Sequence, residues 1–141
     1  PILRANGLDV LASPHYESLF ELLARGRIDY VPRGISEARP EAAAHADKGL
    51  VIEPTLLLHY PSALYFFVHP DNASLAEQID RGLRLAHEDG SLTALLDQAY
   101  GEDIAALHLP RRTRIELVNP LLPPETPLSH PGWWFTPEPS R

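Results

Sequence analysis

The sequence contains no cysteine, and basic residues are scarce. Without thiols the chain has no disulfide, no zinc–thiolate centre and no cysteine nucleophile. Its 12 Lys and Arg residues stand against 19 Asp and Glu residues, which gives a net charge of −7. Because nucleic-acid-binding surfaces need clustered basic side chains, this balance argues against a nucleic-acid partner.

Long hydrophobic runs and methionine are also missing. No apolar run approaches the ~18–20 residues of a membrane span, and no signal peptide opens the chain. The sequence begins at Pro1 and contains no methionine. Since translation begins with methionine, we interpret the chain as a segment of a longer protein.

The composition that remains is that of a globular protein. Hydrophobic residues make up 44% of the chain and charged residues 22%, as in ordinary soluble domains. A length of 141 residues suits one domain or two half-sized lobes.

The first 31 residues predict a strand–helix–strand unit of parallel α/β type. Residues 8–11 suggest a strand, after which Ser13 and Pro14 suit the N-cap and first position of a helix. Gly26 is placed to end this helix, and the next strand occupies residues 27–31. The helix has an apolar stripe with the spacing expected for packing on a sheet, formed by Tyr16, Leu19, Phe20 and Leu23.

The middle of the chain is predicted to contain a polar helix followed by strands. Residues 36–49 suggest a helix interrupted near Pro40. Apolar, extended segments then lie on either side of Pro54. Residues 62–70 are predicted to form a strand buried on both faces.

Two further helices and a last strand are predicted before the tail. Asp71 to Ser74 offers caps for the first helix, and Ser91 caps the second, which is predicted to end at Gly101. The last strand lies in residues 114–119. From there the chain is proline-rich and predicted to be non-helical, held to the body by its aromatic residues Trp133, Trp134 and Phe135.

The residues just after the strand at 27–31 are the first candidates for a ligand site, because ligands of open α/β sheets bind beyond the carboxyl ends of strands. Arg33 offers a planar charged fork to a carboxylate or phosphate, with Gly34 and Glu37 beside it. Stacking walls are available from three tyrosines, Tyr30, Tyr60 and Tyr65. Alternatively, Arg33 pairs with Glu37 four residues later and the tyrosines are interior aromatics.

Catalytic and metal-binding patterns are not found. The seven histidines have no HxH, HxxxH or HExxH spacing, and no GxSxG is present. Neighbouring carboxylates, such as Glu88 with Asp89, fall at helix junctions where capping explains them. We therefore predict no catalytic residue, no metal site and no cofactor.

Two stretches together resemble a known family. They are YESLFELLARGRIDYVPRGISEA, residues 16–38, and YFFVHPDNASLAEQIDRGLRLAHEDGSLTALLDQAYG, residues 65–101. The order of L-x-x-G-R-x-D, DN, DGSL and a helix ending in YG resembles the second half of bacterial extracellular solute-binding proteins of the polar-amino-acid ABC importer type. The resemblance covers about residues 8–109.

This resemblance implies a periplasmic-binding-protein-like α/β fold with parts of two lobes. Residues 1–55 would be the remainder of lobe 2, residues 56–61 the crossover or hinge, and residues 62–141 the remainder of lobe 1 with a proline-rich tail. The implied function is capture of a small polar or anionic solute by hinge closure in the periplasm. An ABC permease or a sensor domain would be the partner, and the tyrosines with Arg33, Gly34 and Glu37 would be ligand-binding residues.

One position departs from the family pattern. Amino-acid binders of this family carry an aspartate just past the G-R-x-D strand, where this chain has Gly34. We therefore expect a ligand other than an ordinary α-amino acid, although Glu37 could replace the aspartate. A sensory receptor domain, or a dehydratase-like enzyme that uses Glu37 as acid and base, remains an alternative. If only these residues are present, uncovered strand edges also predict self-association of the chain.

Overall fold

The computed structural model describes residues 1–130 and 132–135, so Pro131 and residues 136–141 of the predicted tail lie outside it. The helices and strands follow one another in mixed order. Short 3₁₀ turns follow α3 at Ala46–Lys48 and α5 at Leu109–Arg111. The elements are α1 (Ile2–Ala5), α2 (Tyr16–Ala24), α3 (Ile35–Ala44), β1 (Leu56–His59), α4 (Ala73–Glu88), α5 (Ser91–Ala106) and β2 (Thr113–Glu116).

The two strands form a parallel pair. Leu56 lies opposite Thr113, and the register continues to His59 opposite Glu116. A parallel pair needs a long crossover connection, which α4 and α5 provide here. The combination of helices with a parallel sheet confirms the α/β class. The periplasmic-binding-protein-like arrangement of two lobes stays a prediction. The segment predicted as the crossover, residues 56–61, contains β1.

A side chain from the beginning of the chain extends the sheet beyond β2. The Asn6 amide Nδ2 donates to the carbonyl oxygen of Val118 at 2.7 Å, and the Val118 N–H donates back to Asn6 Oδ1 at 2.8 Å. This reciprocal pair has the form of a backbone ladder. It fixes the end of α1 against the segment that follows β2.

Helix α2 ends as predicted and begins later than predicted. Gly26 has φ of +61°, and its N–H bonds to Leu23 O while the Arg27 N–H bonds to Leu22 O. These two bonds form a Schellman motif, which glycine permits because it adopts positive φ without strain. The N-cap is His15 instead of Ser13, because the Ser13 hydroxyl is taken by the turn around His15.

Three predicted strands, at residues 8–11, 27–31 and 62–70, are wrong, since none of these residues lies in a strand. A strand is stable only with a partner. Within residues 1–130 and 132–135, β1 and β2 pair with each other in a two-stranded sheet. Residues 8–11 instead form a loop against α1, where Arg4 donates to Val10 O.

Two predicted helix breaks are also wrong. Helix α3 passes through Pro40, although proline removes one helical hydrogen bond. Ion pairs on either side of Pro40, Arg33 with Glu41 and Arg39 with Asp103, hold this helix in place. Helix α5 passes through Gly101 and ends at Ala106. The predicted start of α4 is confirmed, because Asn72 accepts a capping hydrogen bond from the Leu75 N–H.

The tail contacts the body through Trp133, as predicted. Its ring lies under the guanidinium of Arg84 on α4, with 5.4 Å between Cζ and the ring centroid. Trp134 instead folds onto the tail, where its Nε1 donates to Pro127 O. In the described part of the tail no residue is helical, which confirms the prediction for these residues.

The buried core is small. Its hydrophobic members are Phe20, Leu107, Leu109 and Leu117. Many other large apolar side chains are exposed, among them Val51 at 88% and Phe67 at 92%. Among the described residues, no helix is long and apolar enough to cross a membrane.

Candidate functional site

Arg33 lies immediately before α3 and is held by two carboxylates of that helix. Its Nε and Nη2 donate to the two oxygens of Glu41 at 2.6 and 2.5 Å, and Nη2 lies 3.0 Å from Glu37 Oε1. The side chains of Arg33 and Glu41 are only 25% and 15% exposed. Paired, bidentate geometry of this kind fixes the plane of the guanidinium.

Gly34 and Glu37 together begin α3. The Glu37 carboxylate oxygen Oε2 accepts the Gly34 N–H at 2.9 Å, as in a capping box. A Cβ at position 34 would lie 2.9 Å from this same oxygen, so a larger residue would displace the Glu37 carboxylate. The glycine at this position therefore has a local structural role in addition to any role in ligand choice.

Tyr16 on α2 completes the surroundings of Arg33. Its ring centroid is 5.4 Å from Arg33 Cζ, within the range of a cation–π contact. Its hydroxyl hydrogen-bonds to Glu41. We call these four residues, Tyr16, Arg33, Glu37 and Glu41, the Arg33 cluster.

The charges of the cluster are linked. Burial acts to raise the pKa of Glu41, but hydrogen bonds from Arg33 and Tyr16 hold that pKa below its ordinary value. The hydrogen bond to Glu41 is also the main cause of a raised pKa of Tyr16. One guanidinium thus faces two carboxylates, and the cluster has a formal charge of −1 when both are ionised.

Beneath the cluster, His45 at the end of α3 packs against α2. It is 9% exposed and stacks on Phe20, with ring centroids 4.0 Å apart. Its Nε2 lies 3.8 Å from Glu17 Oε2. These contacts fix α3 against α2 and so fix the position of Arg33.

One edge of the Arg33 guanidinium remains open. Nε and Nη2 are used by the two carboxylates, and no partner of Nη1 is found among residues 1–130 and 132–135. The two N–H groups of Nη1 can therefore donate to acceptor oxygens of a ligand. Because the arginine charge is already compensated, a strong attraction for anions is not expected at this edge.

Of the predicted site residues, the structure brings together Arg33, Gly34 and Glu37. The proposed pairing of Arg33 with Glu37 is confirmed. Tyr30 and Tyr65 are 53% and 52% exposed, so the interior-aromatic interpretation is wrong for these two.

Tyr60 and Tyr65 lie in a different part of the chain. Tyr60 is half-buried, whereas Tyr65 has its hydroxyl 3.5 Å from Thr126 Oγ1. Tyr65 also lines a cavity of about 230 Å³ beside α4. Among the described residues, no hydrogen bond, ion pair or ring contact joins either tyrosine to the Arg33 cluster.

Sequence reasoning missed Tyr16 and Glu41. The sequence pattern places Tyr16 in the apolar stripe of α2 and Glu41 in a polar helix. A usable signal is the spacing of Glu37 and Glu41, since residues four apart lie on one face of a helix and Arg33 precedes the start of that helix. The contact with Tyr16 is tertiary and has no such local signal.

Polar contacts join residues 1–55 to the rest of the chain. Arg39 on α3 donates to Asp103 on α5, with 2.6 Å between Nη1 and Oδ1. Arg112 donates to the backbone carbonyl of Glu53. Together with the Asn6 pair, these polar contacts join the two parts of the chain.

No cluster of three or more His, Cys, Asp or Glu side chains that could hold a metal ion is found within the described residues. Comparison with known proteins gives no relative. No family model matches the chain, and no curated protein or solved structure is significantly similar to it. The likeness to solute-binding proteins therefore stays a prediction based on its motifs.

Proposed function

We propose that this chain is the ligand-binding segment of a periplasmic solute-binding protein. In this proposal it captures a small polar solute by closure about the hinge at residues 56–61 and presents it to an ABC importer. The observation that supports the proposal most strongly is Arg33, whose guanidinium is held rigidly while its Nη1 edge has no partner among the described residues.

The charge of the Arg33 cluster favours one class of solute. Glu37 and Glu41 compensate the single positive charge of Arg33, so an anion gains little at Nη1 and is repelled by the second carboxylate. An uncharged or zwitterionic solute with carbonyl or hydroxyl oxygens can accept both N–H groups without this penalty. The proposal therefore narrows to an uncharged or zwitterionic polar solute.

Closure is supported by the kind of contact between residues 1–55 and the later part of the chain. The joining groups are polar, such as Arg39 with Asp103 and Asn6 with Val118, and few apolar side chains are buried. Contacts between domains that resemble transient, polar interfaces permit relative motion. A ligand that contacts both sides would shift the population toward the closed state.

A thermal-shift screen tests the proposal. Uncharged, zwitterionic and anionic polar solutes are compared on the native chain, on Arg33→Gln and on Arg27→Gln, a matched control at an exposed arginine. A ligand at about 100 times its Kd stabilises a protein by about 2.7 kcal/mol, which is readily measured.

We expect an uncharged or zwitterionic solute to raise the Tm of the native chain and of Arg27→Gln, and to lose this effect with Arg33→Gln. The proposal is contradicted if solutes of every class leave the Tm unchanged. It is also contradicted if the best ligand is unaffected by Arg33→Gln.

A further inference from the structure

Asn6 is the one asparagine of three that precedes a glycine. The side-chain amide of an asparagine can be attacked by the backbone nitrogen of the next residue. Glycine obstructs this attack least, because it has no Cβ and the greatest backbone freedom. Asn72 is followed by an alanine, whose Cβ crowds the nitrogen, and Asn119 by a proline, which has no N–H to lose. The sequence therefore singles out Asn6.

The reaction open to Asn6 and Gly7 is deamidation, in which water replaces ammonia. The Gly7 nitrogen loses its proton and attacks Cγ of Asn6, the bond from Cγ to Nδ2 breaks, and ammonia leaves with that proton. A succinimide ring results. Water opens the ring at Cγ, which gives aspartate, or at the main-chain carbonyl carbon, which gives isoaspartate with its backbone routed through Cβ and Cγ. Water is the only co-reactant.

The amide of Asn6 is fully engaged in the folded chain. Its Nδ2 donates to Val118 O at 2.7 Å and to Ile2 O at 2.9 Å, while Oδ1 accepts the Val118 N–H at 2.8 Å. The attacking group is occupied as well, because the Gly7 N–H donates to Arg4 O at 3.1 Å. Deamidation therefore requires these bonds to open first.

Opening at Asn6 does not require the rest of the chain to unfold. Helix α1 has four residues, none of them buried, and a helix of this length is not stable alone. Within residues 1–130 and 132–135, the bonds between Asn6 and Val118 are the hydrogen bonds that join residues 1–10 to later parts of the chain. Segments with few buried contacts open at a lower free energy than the whole chain.

The product of deamidation cannot form the original contact again. The Asn6 amide uses both of its N–H groups, and an ionised carboxylate has none. A carboxylate oxygen at the same position would face the carbonyl oxygens of Val118 and Ile2 with no hydrogen between them. In isoaspartate the longer backbone also displaces Gly7. Opening of the native chain is reversible, whereas this change is not.

We propose that Asn6 is a site of spontaneous deamidation that reacts when α1 opens, and that its conversion to aspartate or isoaspartate separates α1 from the segment after β2. The fraction of modified chains then increases with age and with the frequency of this opening. The inference is independent of the proposed solute site, since among the described residues no hydrogen bond, ion pair or ring contact joins Asn6 to the Arg33 cluster.

Mass spectrometry of peptides from the aged full chain locates the modification. The chain is incubated at mildly alkaline pH, where more of the attacking nitrogen is deprotonated, and each asparagine is followed by the mass gain of replacing NH2 by OH. We expect Asn6 to deamidate while Asn72 and Asn119 stay unchanged over the same period. In urea sufficient to unfold the chain, Asn6 should react at least about tenfold faster, equivalent to ~1.4 kcal/mol of protection.

Two variants at Val118 test whether opening controls the rate. Val118→Pro removes the N–H that Asn6 Oδ1 accepts, whereas the matched control Val118→Ala keeps it. The Val118 side chain is 71% exposed, so its loss alone should have little effect. Asn6 should deamidate several times faster in Val118→Pro than in Val118→Ala. Circular dichroism checks that both variants are folded, and the urea comparison tests the same point without a substitution.

Amide exchange tests the structural consequence. The deamidated chain carries an added negative charge and can be separated by ion exchange. Its Val118 amide should then exchange about tenfold faster than in the native chain, equivalent to ~1.4 kcal/mol. The Leu117 amide, which bonds to His59 O at 2.8 Å, is the control and should be unaffected.

An Asn6 that stays intact in the folded chain would overturn the inference. So would equal rates in the folded and unfolded chain, or in the two Val118 variants, because the reaction would then not depend on opening. Unchanged exchange at Val118 after deamidation would overturn it too, since the modification would not separate α1 from the segment after β2.

Discussion

Replacing Glu41 by Gln distinguishes the contribution of Glu41 to stability from that of Glu37, the second carboxylate that holds Arg33. Glu41 forms a two-pronged pair at 2.5 and 2.6 Å, and its side chain is 15% exposed. Glu37 contacts the same arginine at 3.0 Å, but its side chain is 49% exposed. The two carboxylates are therefore expected to differ in their contribution to stability.

The expected sizes follow from these contacts. A hydrogen bond to a charged group contributes about 1.5–3 kcal/mol, so Glu41→Gln, which keeps one acceptor, should lower the free energy of unfolding by about 2 kcal/mol. Glu37→Gln loses an exposed pair worth about 0.2–0.5 kcal/mol, and glutamine preserves the capping box. Urea unfolding followed by circular dichroism measures both variants.

The pH dependence adds a second measurement. Because the pKa of Glu41 is lowered in the folded chain, its contribution is present above the unfolded pKa and is lost as pH falls through the folded pKa. The Glu41→Gln variant should lack this part of the acid destabilisation. Equal losses for the two glutamine variants, or an unchanged acid limb in Glu41→Gln, would refute the reasoning.

Three further predictions concern the fold. Gly101→Ala should stabilise the chain by about 0.5–1 kcal/mol in urea unfolding, because alanine favours a helix interior more than glycine does. The added Cβ has room, since it meets only Asp97 Cβ at 3.9 Å. Destabilisation would mean that α5 ends at this glycine. Gly26→Ala, at φ of +61°, should instead cost about 1–2 kcal/mol, and a neutral result would contradict the Schellman ending of α2. Asn6→Ala removes both hydrogen bonds to the segment after β2 and should lower the free energy of unfolding by about 1–3 kcal/mol. The amide of Val118 should also exchange faster with solvent, and unchanged exchange would show that Asn6 does not extend the sheet.

The helices were predictable where the sequence contains local signals. Gly26 at the end of α2 and Asn72 at the start of α4 act through residues a few positions away, and both predictions are confirmed. Pro40 and Gly101 carry equally clear signals, but the helices continue through both. At Pro40, tertiary contacts on either side of the proline accompany the continued helix, namely the ion pairs Arg33 with Glu41 and Arg39 with Asp103.

The strands were less predictable because pairing is not local. Residues 62–70 have a strong strand composition, yet no partner for them is found among the described residues. Residues 56–59 contain no β-branched or aromatic strand former and yet form β1, because Thr113–Glu116 lies beside them. Composition therefore predicts the capacity to form a strand, and the partner decides the outcome.

The candidate site was predictable only where its contacts are local in sequence. Arg33, Gly34 and Glu37 are close in sequence, and the bond of the Gly34 N–H to Glu37 is a local motif of a helix start. The contact of Tyr16 with Arg33 crosses from α2 to α3 and depends on the packing of His45 against Phe20. Such tertiary contacts leave no pattern in the sequence.

The most direct test of the proposed function is a titration followed by nuclear magnetic resonance. The titrant is the best uncharged or zwitterionic solute from the thermal-shift screen, and the signals followed are the arginine side-chain N–H groups and the backbone amides. We predict that the Arg33 side-chain signals and the Gly34 amide shift in a saturable manner, while the side-chain signal of Arg27 stays in place. Saturable binding that leaves the Arg33 and Gly34 signals unchanged would contradict a solute site at Arg33.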